Sequence, residues 1–280
     1  MRVAVLLSLL SALSYGVSDF LGGIFAKRAT AWQIAVVGQT SAATCSIAAL
    51  LVFPGSPAGS DVAWGALAGI GGGLGAGFLY RGLSSSRMGV VAPISAIGAA
   101  LLPVAVGLST GERPSPVALI GIAAAFPAIV LISRVPVEAE VDPSARGGAI
   151  DGTLAGLGFG FLFVCLDRVG EGGTLTGLAA SQVTSVLAVI ALATALRGAW
   201  LPRDRFAARA IVMGPLGATA QGAFLFASQA GLLSIVSVIS SLYPASTVVL
   251  AAVLLRERIW RGQAVGLVLA TAAVVCVALA

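Results

Sequence analysis

Apolar residues in this 280-residue chain gather into ten runs of about 18 to 24 residues, parted by short polar breaks. About 20 apolar residues in a helix cross the hydrocarbon core of a bilayer. The pattern predicts membrane-spanning helices over 3–26, 32–53, 62–82, 89–110 and 115–133. It predicts five more over 148–168, 174–196, 209–231, 234–255 and 261–280. The one polar linker of any length, 134–147, holds Glu138, Glu140, Asp142, Pro136 and Pro143. It divides the chain into a first unit, 1–133, and a second, 148–280. Trp32, Trp64, Trp200 and Trp260 fall at run ends, where an amphipathic ring prefers the headgroup layer.

The two units repeat one another. Gly111-Glu112-Arg113 followed by Gly121 matches Arg256-Glu257-Arg258 followed by Gly266. Phe78-Leu79-Tyr80 matches Phe224-Leu225-Phe226, Tyr15-Gly16 matches Phe159-Gly160, and Gly38-Gln39 matches Ser181-Gln182. Each unit holds five spans, an odd number, so the second must lie upside down relative to the first. The expected fold is an all-α membrane protein of ten transmembrane helices, arranged as two inverted five-helix repeats. Such repeats build carriers whose substrate site lies between the halves near the midplane. Small residues recur every fourth position in three spans: Gly65, Gly69, Gly73 and Gly77; Gly148, Gly152, Gly156 and Gly160; Gly214, Ala218 and Gly222. They mark faces for close helix packing, and such seams also suit rocking of one helix on another.

Composition removes most other readings. Hydrophobic residues make up 58% of the chain and charged ones 10%, too few for a water-soluble domain, where roughly 25% is usual. There is no histidine, and Cys45, Cys165 and Cys276 lie far apart inside apolar runs as small buried hydrophobes. Zinc sites and histidine-dependent catalysis are therefore excluded. No metal or other cofactor is called for; the absence of histidine and of paired carboxylates within a span argues against a membrane enzyme, and the little chain outside the membrane against a scaffold. The net charge of +5 comes from basic residues at run ends, without interleaved aromatics, which argues against nucleic acid. The first run resembles a secretory signal, but its apolar character continues to Phe25, so it is read as a span.

Those basic residues set an orientation. Arg2, Arg113 and Arg168 belong to the side of the N-terminus, and the other thirteen to the opposite side. The positive-inside rule then places both termini outside a plasma (inner) membrane.

The stretch 224–277 resembles the EamA domain of the drug/metabolite transporter superfamily. The resemblance lies in Phe224-Leu225-Phe226-Ala227, a turn at 231–234, Leu242-Tyr243-Pro244, Leu255-Arg256-Glu257-Arg258 and Gly266. The first unit carries a looser version in Tyr15-Gly16, Leu79-Tyr80, Gly89-Val90, Leu102-Pro103, Gly111-Glu112-Arg113-Pro114 and Leu119-Ile120-Gly121. The resemblance implies a ten-helix secondary carrier of small metabolites, more often outward; the alternative is proton- or cation-coupled uptake of a sugar or similar metabolite. Tyr15 stands where family members usually have tryptophan, and the loop 54–61 lacks the usual basic residues. Family members more often have both termini inside, against the charge count.

Asp19 is the sharpest site candidate. It lies about seven residues, or roughly 10 Å, from the end of its span. A carboxylate at that depth is costly and marks a proton or ion pathway, so Asp19 is the candidate for substrate binding and proton coupling. The competing reading pairs it with a basic group such as Lys27 or Arg81. Gln39 and Gln182, at matching places in the repeat, and Gln221 and Gln229 offer polar anchors, or else interhelical hydrogen bonds. Tyr15, Tyr80 and Tyr243, with Phe159 and Phe163, are candidates to stack on an apolar part of the substrate, or else packing residues. Pro93, Pro103, Pro127, Pro215 and Pro244 are candidates to bend spans. Asp151, Asp167 and Arg168 read as interfacial, and Glu112 and Glu257 as exposed or capping. The expected partners are a small-molecule substrate, the lipid bilayer and protons. A monomer suffices, because one chain supplies both pseudo-symmetric halves, and a homodimer is compatible.

Overall fold

The computed structural model describes residues 2–26, 28–85, 88–133, 144–203, 205–256 and 258–280. The sites of Lys27, Glu257 and most of the polar linker fall outside the described residues. Eleven α-helices form ten membrane-length spans among those described. The first repeat holds α1 (Arg2–Ala26), α2 (Ala31–Val52), α3 (Gly59–Ser85), α4 (Met88–Ser109) and α5 (Pro116–Ser133). The second holds α6 (Ser144–Asp167), α7 (Thr174–Ala195), α8 (Met213–Ala230), α9 (Leu233–Ser240), α10 (Tyr243–Leu254) and α11 (Arg261–Leu279). The eighth span opens with a 3-10 turn over Ala207–Val212 before α8. The chain is therefore a multi-pass all-α membrane protein, as the apolar runs predict, with span ends displaced by only a few residues.

One span departs from expectation. The ninth is broken at Ser241 and Leu242 into α9 and α10, with Pro244 in the first turn of the second piece. There its missing N–H removes no helical hydrogen bond. Pro215 likewise lies in the first turn of α8. Pro93, Pro103 and Pro127 sit inside helices that continue past them.

Packing follows the repeat. α3 of the first repeat packs on α6 and α7, as its counterpart α8 packs on α1 and α2. α4 packs on α6, as α9 and α10 pack on α1. α5 and α11 pair with each other at one edge, and there the equivalence is explicit. A Cβ on Gly121 would lie 2.8 Å from Ala273 O, and one on Gly266 would lie 2.7 Å from Ile132 N. The glycine rows explain how these backbones approach. Gly65, Gly69 and Gly73 face α7, where a Cβ on Gly73 would stand 2.5 Å from Ser185 O. Gly152, Gly156 and Gly160 face α4, and a Cβ on Gly156 would stand 2.8 Å from Ser95 O.

Polar contacts join the repeats at both ends, and one set lies at the end carrying the N-terminus. Asp61, at the start of α3, accepts from Ala58 N at 2.7 Å and from Gly170 N at 2.9 Å. Ser56 N donates to Gly172 O at 2.9 Å. Glu112, in the turn after α4, accepts from Leu233 N at 2.6 Å and Ser234 N at 3.0 Å. It thus satisfies the first free amides of α9, whose own N-cap, Leu232, has no side-chain acceptor. At the opposite end Gln33 closes a capping box with Thr30 and donates to Leu201 O at 2.9 Å.

Candidate substrate-binding cavity

α1 contributes Tyr15, Ser18 and Asp19 to one cavity, because residues three and four apart share a helix face. The next residue of that face is Gly22, whose missing side chain admits Tyr80: a Cβ there would lie 2.7 Å from the Tyr80 ring. The Tyr80 hydroxyl donates to Asp19 Oδ1 at 3.4 Å. α2 adds Ile34, Gly38 and Gln39, α3 adds Gly72 and Ala76, and α4 adds Ala99. The second repeat supplies Phe159, Leu162 and Phe163 from α6, Gln182 from α7, Met213 and Gln221 from α8, and Tyr243 from α10. About 770 Å3 of empty space, open solvent included, lies within its lining. It lies between the repeats, and none of its lining comes from α5, α9 or α11.

Nine of the ten candidates thus come together: Asp19, Gln39, Gln182, Gln221, Tyr15, Tyr80, Tyr243, Phe159 and Phe163. Gln229 does not join them. It lies on α8 near the N-terminal end of the bundle, where it donates to Thr174 Oγ1 at 3.0 Å and Val169 O at 3.3 Å. That is an interhelical bond between α7 and α8, the structural alternative for this residue.

Aromatic rings form much of the wall. The Tyr15 centroid stands 6.2 Å from that of Phe163 and 6.4 Å from that of Tyr243. Phe163 in turn stacks on Phe224 at 4.0 Å, which fixes it from behind. The Tyr15 hydroxyl and Gln182 Oε1 are buried without a hydrogen-bond partner. Groups in that condition are costly in a dry interior, and a ligand that bonds them removes the cost. Ser181 donates to Gln221 Oε1 at 3.4 Å, behind the lining.

Arg81 does not pair with Asp19. It forms a salt bridge with Asp151 of α6, with Arg81 Nε 3.1 Å from Asp151 Oδ1 and 3.2 Å from Oδ2. Its guanidinium also lies 4.8 Å over the Phe78 ring. Asp151 is buried, and α3 brings it a partner that its own sequence neighbourhood does not show.

Sequence reasoning passed over Ser18, Ile34 and Met213 as lining residues. Ser18 was within reach through its spacing from Tyr15. Ile34 and Met213 are apolar residues in apolar runs and carry no such signal.

The model of the EamA-like transporter family matches residues 2–134 and again 147–279. The chain belongs to the EamA-like transporter family. It is therefore a membrane transporter of small substrates and not an enzyme. A crystal structure described only as that of a protein shares the fold, with a TM-score of 0.78 and 15% identity. That match covers 98% of this chain and 95% of the other. No curated protein matches the sequence.

Proposed function

We propose that this EamA-family protein is a secondary carrier that exports a small organic metabolite by alternating access, exchanging it for protons at Asp19. The observation that carries the reading is the cavity itself: both repeats line it, and Asp19 is its one charged side chain among the described residues. An acid inside a bilayer-spanning bundle takes a proton or a solute charge in turn, which links their movements. Rocking of the repeats about the glycine seams would move access from one end to the other. Export follows the family resemblance, and the charge count supports a plasma-membrane protein with both termini outside. One chain supplies both repeats, so the monomer is the working unit.

The test is solute-driven proton movement in proteoliposomes, read with an internal pH dye, with labelled counterflow in parallel. Protons are followed directly because exchange of one proton for one cation carries no net current. Amino acids, sugars, nucleosides and organic amines are offered to wild type and to Asp19→Asn. A solute-specific proton flux in wild type, lost in the variant while counterflow exchange survives, is expected. Equal proton fluxes in both proteins would remove Asp19 as the coupling group. Silence in proton flux and counterflow would overturn the carrier reading for those solutes.

A further inference from the structure

From the chemistry of the cavity wall we infer that its substrate is an organic monocation: a protonated amine carrying an apolar, preferably aromatic, body. The inference rests on the carrier reading above and sharpens it. Asp19 carries the cavity's one formal charge, and no Lys or Arg lines it among the described residues. The nearest strong cation along α3, Arg81, is held by Asp151. An anionic substrate would therefore meet a carboxylate and no countercharge. In a low-dielectric site that repulsion is severe.

The walls select further. Tyr15, Tyr80, Phe163 and Tyr243 line the same cavity as Asp19, with Tyr80 bonded to the carboxylate and Tyr15 beside both Phe163 and Tyr243. Aromatic faces attract a cation that has shed its water, and equally take the apolar body of an amine. The unpartnered acceptor Gln182 Oε1 asks for a donor, and Asp19 keeps acceptor capacity beyond its long bond from Tyr80. An ammonium with its own N–H groups supplies donors to both. A quaternary ammonium supplies none and would leave Gln182 unpaired, so primary and secondary amines rank above it. A neutral alcohol has one O–H, enough for Gln182 or for the carboxylate but not for both, and brings no charge to balance Asp19.

Equilibrium binding to the full chain in nanodiscs decides the matter. The probes are phenethylammonium, its neutral counterpart 2-phenylethanol, and the anion 3-phenylpropionate, followed by calorimetry. The ammonium should bind at least about tenfold more tightly than the alcohol, and the anion not measurably. Asp19→Asn should bring ammonium and alcohol to similar affinity, and Gln182→Leu should weaken the ammonium several-fold. Wild type alone is sufficient if either variant fails to fold. Equal or tighter binding of the alcohol or the anion, or no binding of any probe, would overturn the monocation inference. Labelled phenethylammonium counterflow separates this from the carrier reading. Tight binding without counterflow keeps the monocation site and removes the carrier; counterflow of the alcohol or anion alone does the reverse.

Discussion

α4 and the broken ninth span occupy equivalent places in the two repeats, yet one is continuous and the other is two helices. Both cross the first helix of the opposite repeat at a glycine. A Cβ on Gly160 of α6 would lie 2.8 Å from Leu102 Cβ and 2.9 Å from Gly98 O of α4. A Cβ on Gly16 of α1 would lie 2.5 Å from Tyr243 O and collide with Ser246 of α10. The register set by Glu112 and Glu257 pairs Gly98 with Tyr243, and Ala99 with Pro244. Where one crossing has Gly98 meeting Gly156 backbone to backbone, the other has a tyrosine that lines the cavity. The pseudo-symmetric frame thus holds an asymmetric site, and the break in the ninth span is where the two depart.

Imposing the ninth span's proline on α4 attacks that difference most directly. Ala99 is buried in mid-helix, so Ala99→Pro removes a helical hydrogen bond and sets the ring against the Ser95 carbonyl. That carbonyl already lies beside Gly156. The expected cost is about 3 kcal/mol or more, seen as a lower midpoint of thermal unfolding in detergent. A stable Ala99→Pro protein with α4 still continuous would show that the proline alone does not set the asymmetry.

The glycine crossing comes next. Gly16→Ala should cost about 1 to 3 kcal/mol, since its Cβ meets the backbone of Tyr243 as well as Ser246. Thr247 Oγ1 bonds Gly16 O at 3.1 Å and Ser246 Oγ bonds Ala12 O at 3.1 Å, so α10 cannot withdraw without losing both. Gly160→Ala presses chiefly on the Leu102 side chain and Gly98 O, at longer range. It should lower the unfolding midpoint less than Gly16→Ala. The reverse order would mean that the unbroken crossing is the tighter one.

The spans were legible because length and hydropathy alone settle whether a helix crosses a bilayer, and the repeat was legible because glycine seams and turn residues recur in register. The break was not. Pro244 looks in sequence like Pro93, Pro103 and Pro127, and only packing decides which proline starts a new helix. The same division runs through the site. Asp19, Gln39 and Gln182 stand out as polar residues in apolar runs, two of them matched by the repeat, and all three line the cavity. Gln229 stands out equally, but its polarity is consumed by Thr174 and Val169 across α7 and α8. Asp151 and Asp19 are both acids within spans; Arg81 on α3 separates their roles, and no local pattern announces that contact.

The smallest expected effect tests how the two equivalent regions hold each other. Glu112 follows α4, yet its carboxylate binds Leu233 N and Ser234 N at the start of α9. The turn after one member of the pair therefore caps the other. α9 is only eight residues long, so its first-turn amides are a large share of its hydrogen bonding. Glu112→Ala leaves two amides without this acceptor and removes a negative charge from a helix N-terminus. The expected loss is about 0.5 to 2 kcal/mol. Glu112→Gln retains one acceptor oxygen and should recover part of it. Arg113→Ala is the control, because Arg113 bonds only the neighbouring Glu112 carbonyl among its described partners. Backbone exchange read by mass spectrometry should quicken at 233–236 in Glu112→Ala and stay unchanged over α4. Unchanged exchange at 233–236 in Glu112→Ala would mean that α9 is held by its buried apolar faces and not by the carboxylate from the opposite repeat.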